Sequence, residues 1–169
     1  KLIDLMKPFN VTVLAHDPYV SSELASSLDF TLTSLDKVLS VPDVVVSLVP
    51  LTPGTKGMLG EREISLLKPG SIFVNVSRGP VVDTDALIAR LEKGAITACL
   101  DVFDPEPMPA NSPIRNLRNV FLTPHIAGTT QRSRTRFFEE MVSELDRHFS
   151  GHETQHNLTA HTLANRRGE

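Results

Sequence analysis

Cysteine is almost missing from this sequence: Cys99 is the only one among 169 residues. That excludes an intrachain disulfide framework and any zinc or iron–sulfur cluster held by several cysteines. A reducing, cytoplasmic setting is the simplest reading, and Cys99, inside an apolar stretch, reads as an inert core residue. Long apolar runs are missing too. The longest, Val44-Val45-Val46-Ser47-Leu48-Val49-Pro50-Leu51, falls far short of the roughly 18 residues that suggest a membrane span. Asp4, Lys7 and Pro8 interrupt the N-terminal apolar residues that a secretory signal would need. Net charge is small, formally −3, so there is no broad attraction to phosphate backbones or anionic lipid, and neither nucleic acid nor a membrane is an expected partner. What is present, 40% apolar and 22% charged residues, suffices to bury a core and fold as a globule of about one domain.

Short β-branched runs alternate with helix-period segments from end to end, the pattern of βαβ units around a parallel sheet, so the expected class is α/β. Leu2, Leu5 and Met6 read as the core-facing end of a helix that Pro8 stops. Strands are expected over residues 11–15, 30–33, 43–49, 71–77, 96–103 and 120–122. Helices are expected over residues 22–28, 34–39, 61–68, 84–93 and 130–150. Residues 43–49 are nearly all valine, as in a central strand buried on both faces. Gly94 is placed to end a helix in the left-handed conformation. Three prolines make residues 104–111 an ordered loop. The last helix carries Phe137, Phe138, Met141, Val142, Leu145 and Phe149 on one stripe. Residues 1–150 thus read as one domain and residues 151–169 as a polar tail.

In open parallel sheets ligands bind at the carboxyl ends of the strands. Asp17 follows the first run, where an acid can accept both hydrogen bonds of an adenosine ribose and repel a 2′-phosphate; the plainer alternative is a turn aspartate before proline. Arg78 would project from the end of residues 71–77, where a guanidinium can fork onto a carboxylate, unless it is simply a surface arginine. Glu106 lies between Pro105 and Pro107, and His125 follows Pro124. A carboxylate beside an imidazole stabilises its protonated form, which suits a proton donor to a carbonyl being reduced; the alternative is a buried structural histidine. His148, His152 and His156 recur every fourth residue, but Gly151 breaks the helix, so no metal site is expected. Arg132, Arg134 and Arg136 read as surface charges, with Arg132 within reach of the site's rim.

The wording around these residues is more specific than any of them alone. Val49-Pro50-Leu51-Thr52-Pro53-Gly54-Thr55, Leu67-Lys68-Pro69-Gly70, Asn75-Val76-Ser77-Arg78-Gly79, Leu100-Asp101-Val102-Phe103-Asp104-Pro105-Glu106-Pro107 and Leu122-Thr123-Pro124-His125-Ile126-Ala127-Gly128 occur in that order. Together they resemble the NAD-binding domain of the D-isomer-specific 2-hydroxyacid dehydrogenases. The resemblance implies a Rossmann-like doubly wound sheet and hydride transfer between NAD(H) and a D-2-hydroxy acid/2-keto acid pair. It implies that Arg78 anchors the substrate carboxylate, that His125 is the general acid/base and that Glu106 pairs with it. It further implies that Asp17 holds the adenosine ribose and Asp101 the nicotinamide carboxamide, with Pro50, Thr55, Val76, Ser77 and Gly128 lining the cofactor cleft. Pro18-Tyr19 after Asp17, in place of basic residues, favours NAD(H) over NADP(H). A homodimer is the implied assembly. The same fold also serves NAD(H)-binding corepressors that act through partner peptides, a second reading beside the enzyme, and a noncatalytic remnant is a third.

One departure is plain. The family's G-x-G-x-x-G turn is absent, and with it the strand expected between residues 11–15 and 43–49 in the order 3-2-1-4-5-6. The substrate-binding domain is absent as well. This chain alone is therefore expected neither to bind NAD well nor to turn over substrate.

Overall fold

The computed structural model describes residues 1–157 and 159. Helices and strands alternate as the sequence pattern predicts: α1 (Leu2–Met6), β1 (Leu14–Ala15), α2 (Ser22–Ser27), β2 (Thr31–Leu32), α3 (Leu35–Ser40), β3 (Val44–Ser47), α4 (Glu61–Leu66), β4 (Ile72–Asn75), α5 (Thr84–Glu92), β5 (Thr97–Leu100), β6 (Val120–Leu122) and α6 (Gln131–Phe149). Local chemistry sets their ends. The Ser34 hydroxyl accepts the Lys37 N–H at 3.3 Å at the start of α3, and Asp83 accepts the Ala86 N–H at 3.0 Å at the start of α5. Gly94, at φ +65°, follows α5 in the left-handed conformation expected of it. Thr130 and Ser133 form a reciprocal capping box that starts α6. Among the described residues no helix is long and apolar enough to cross a membrane.

All strand pairs are parallel, but the strands make two sheets, β1-β2 and β3-β4-β5-β6. The expected central position of β3 is therefore corrected: it is an edge strand, because among the described residues no strand pairs with the side of it nearest β1 in the doubly wound order.

Register explains how the larger sheet packs. Val45, Phe73, Ala98 and Val120 form one cross-strand row, and Ser47, Asn75, Leu100 and Leu122 the next on the same face. Against this face α4 packs between α3 and α5, so that Leu39, Ile64, Leu67, Leu87 and Leu91 close over Phe73 in one core. The opposite face carries Val44, Val46, Ile72, Val74, Cys99 and Phe121, and it lies open: Val44 is 49% and Val46 39% exposed. Burial on both faces of β3 is thus also corrected, and Cys99 is only half-buried.

The α1 residues expected in the core lie outside it, as does a second apolar group. Leu2 and Leu5 of α1 are exposed, and so is the whole stripe of α6, with Phe149 at 83%. The helical period was legible; which surface it meets was not. α6 ends before Gly151, at φ +74°, so His148, His152 and His156 do not share a helix face. The Glu144 carboxylate accepts the backbone N–H groups of Gln155 and His156, each at 2.9 Å, laying the start of the tail against α6. The polar-tail expectation for residues 158 and 160–169 lies outside the described residues.

Candidate active site

Because β3 to β6 are parallel and in register, the segments that leave them emerge along one edge. After β4 come Val76, Ser77 and Arg78; after β5, Asp101 and the proline loop with Glu106; after β6, Thr123 to Gly128. The segments after β4 and β6 are each held by a buried polar group, Asn75 and Asp101.

Asn75, buried at the end of β4, accepts the Ser77 N–H at 3.1 Å and the Ser77 hydroxyl at 2.9 Å, and its amide donates to the Arg78 carbonyl at 3.3 Å. The two buried hydroxyls of Ser47 and Ser77 lie 3.1 Å apart. These contacts shape the turn that carries Arg78, whose side chain is exposed and donates from Nη1 to the Ser77 carbonyl at 2.7 Å. Gly79 follows, pressed against the next loop: a Cβ there would overlap the Phe103 carbonyl and come within 2.7 Å of the Asp104 nitrogen. Only glycine lets the Arg78 turn and the Glu106 loop touch.

His125 Nδ1 is in direct hydrogen-bond contact with Glu106 Oε1, the pairing expected of them. Their side chains are 44% and 36% exposed, so the pair faces the outside of the edge. His125 also has φ +53°, the left-handed region, which costs a non-glycine residue about 1–3 kcal/mol unless its surroundings enforce it. Asp101 is hydrogen-bonded to residues on both sides of His125. Only 3% exposed, its Oδ1 accepts the Thr123 hydroxyl at 2.5 Å and the Ile126 N–H at 2.8 Å, while Oδ2 accepts the Ala127 N–H at 2.9 Å. Burial pushes the Asp101 carboxyl up, but the Thr123 hydroxyl and the Ala127 and Ile126 N–H groups outweigh it and hold the carboxyl below the usual carboxylate range.

The other expected residues are arranged more loosely. Asp17 stands at the end of β1, in the smaller sheet, where its Oδ1 accepts the Tyr19 N–H at 2.9 Å. The turn reading of Asp17 is therefore realised, and the exposed carboxylate keeps acceptor sites that fit vicinal ribose hydroxyls. Thr55 donates to the Pro50 carbonyl at 2.6 Å and accepts the Thr52 N–H at 2.8 Å, which ties the loop after β3 to itself and not to His125 or Arg78. Gly128 borders open space and, with Arg132 and Arg136, lines a groove at the start of α6. The exposed Asp17 carboxylate thus fits the ribose end of a dinucleotide, whereas a glycine turn for its pyrophosphate is not among the residues present.

Asn75 and Gly79 were not singled out from sequence. The signal for Asn75 was a polar residue closing the strand Ile72-Phe73-Val74; Gly79 gave none, since its reason is a neighbour 24 residues away, at Phe103.

The family model described as "D-isomer specific 2-hydroxyacid dehydrogenase, NAD binding domain" matches residues 1–127. The chain is 39% identical over 153 residues to the mitochondrial formate dehydrogenase of Solanum tuberosum, covering 89% of this chain and 40% of that protein. It is 34% identical over 157 residues to glyoxylate/hydroxypyruvate reductase B of Enterobacter sp. (strain 638), covering 92% and 48%. Among solved structures, D-lactate dehydrogenase with NAD+ from Lactobacillus jensenii superposes with a TM-score of 0.82 at 27% identity, covering 94% of this chain and 51% of that one. The chain spans about half the length of the relatives it matches.

Proposed function

The chain belongs to the D-isomer specific 2-hydroxyacid dehydrogenase family through its NAD-binding domain, and from that premise we propose that the protein is an NAD(H)-dependent oxidoreductase acting on D-2-hydroxy acids and the corresponding 2-keto acids. The observation that carries this reading is the His125–Glu106 pair, facing outward on the same strand-end edge as Arg78.

Asp17 would hold the adenosine ribose and the 76–78 turn would border the nicotinamide; NAD(H) supplies the hydride donor or acceptor when bound. Arg78 offers a planar, permanently charged fork for the substrate carboxylate. Glu106 engages Nδ1 of His125, which orients the ring and leaves Nε2 to give a proton to the carbonyl oxygen in reduction and to take it back in oxidation. An acid at the end of β1 disfavours a 2′-phosphate, so NADH is the expected partner over NADPH. The proposed assembly is a homodimer, measurable by light scattering.

The test is kinetic. In the intact protein, Arg78→Ala and His125→Ala should each lower kcat/KM for 2-keto acid reduction by about 100-fold or more; near-wild-type turnover by either variant would overturn the assignment. Tight NADH binding with no consumption by the wild type would favour a corepressor-like binding module.

A further inference from the structure

We propose that Asp101 is a positioning residue that acts through His125: its carboxylate holds residues 123–127 in the one conformation that presents the imidazole to Glu106. The resemblance assigned Asp101 to the nicotinamide carboxamide. The structure shows that its carboxylate is already engaged within the chain. Of the roughly four acceptor sites of a carboxylate, two on Oδ1 are filled by the Thr123 hydroxyl and the Ile126 N–H, and one on Oδ2 by the Ala127 N–H. These three donors bracket His125 in sequence. They close a loop around a residue whose left-handed φ of +53° would otherwise relax.

Asp101 is itself anchored. Its N–H donates to the Asn75 carbonyl at 3.0 Å, and the Thr123 N–H donates to the Leu100 carbonyl at 2.9 Å. Asn75 in turn shapes the Arg78 turn. One hydrogen-bonded series therefore runs across the ends of β4, β5 and β6, from the arginine turn to the histidine turn, with the Asp101 carboxylate as its final link. A neutral amide at position 101 cannot reproduce it, because in either orientation its NH2 would face a backbone N–H, of Ile126 or of Ala127. The charged groups that face His125 are Glu106, in contact, and Asp101, behind its backbone.

The consequence for turnover rests on His125 being the proton donor; the consequence for His125 geometry does not. The test uses the intact protein with Asp101→Asn and, in case that variant does not fold, Thr123→Val, which removes a single donor. Asp101→Asn should lower kcat about 10- to 100-fold through misplacement of the imidazole, with less than about a threefold change in NADH Kd. Thr123→Val should move kcat in the same direction by less. Independently of turnover, both should shift the Ile126 and Ala127 amide resonances and the His125 Cε1–Hε1 resonance. A rise in NADH Kd with unchanged His125 resonances would assign Asp101 to the cofactor and overturn the proposal. A lowered Tm with His125 unmoved would leave a purely structural role and overturn it as well. If the wild type reduces no 2-keto acid but the His125 resonances respond, the functional reading fails and this inference stands.

Discussion

The two faces of the four-stranded sheet are built from similar residues and have opposite fates. On one, Val45, Phe73, Ala98 and Leu100 lie under α3, α4 and α5 and are shut from water; on the other, Val44, Val46, Ile72 and Phe121 are open. Parallel sheets normally carry helices on both faces. The site is therefore supported from the covered side. The buried groups that fix the turns, Ser47 and Asn75, belong to the closed face, and Asp101 is equally buried at the end of β5. The open face and the exposed stripe of α6 contribute no hydrogen bond or ion pair to Arg78, Glu106 or His125 among the described residues.

Substitutions on the two faces should therefore separate cleanly. The largest effect is expected for Phe73→Ala, a fully buried aromatic truncated in the core: about 3–5 kcal/mol of stability lost in denaturant melts. Next comes Gly79→Ala, where the added methyl meets the Phe103 backbone; about 1–3 kcal/mol should be lost, with a further fall in kcat/KM as the Arg78 turn is pushed from the Glu106 loop. An unchanged melt would mean that the loops after β4 and β5 are not in contact.

A smaller effect is expected from acid. The Asp101 carboxyl lies below its unfolded value, so its contribution to stability is present above about pH 3.9. It is lost as the pH falls through the depressed folded value. Stability curves of wild type and Asp101→Asn should converge toward low pH; a constant gap would contradict this. The smallest effects belong to the open surfaces. Val46→Thr and Phe137→Ser should each change stability by less than about 0.5 kcal/mol, and a loss approaching that of Phe73→Ala would show that something covers those surfaces in solution.

The order of helices and strands was readable because period and capping are local: Ser34, Asp83, Gly94 and Thr130 each act within a few residues. Burial was not. The pattern Val44-Val45-Val46 is the same whether a strand is central or at an edge, and the stripe of α6 announces a partner surface without naming it. The site divides in the same way. That Glu106 meets His125 was legible from residue type, rigid neighbours and the order of motifs. The reach of Asp101 across 25 residues to Ile126 was not, because it depends on how β5 and β6 pair.

Whether the carboxyl edge supports NADH-dependent reduction is decided by following NADH absorbance with the intact protein and a panel of glyoxylate, hydroxypyruvate and larger 2-keto acids. NADH should be consumed with at least one of them, faster than NADPH, and its consumption abolished in His125→Ala. Saturable NADH binding without consumption across the panel would contradict it.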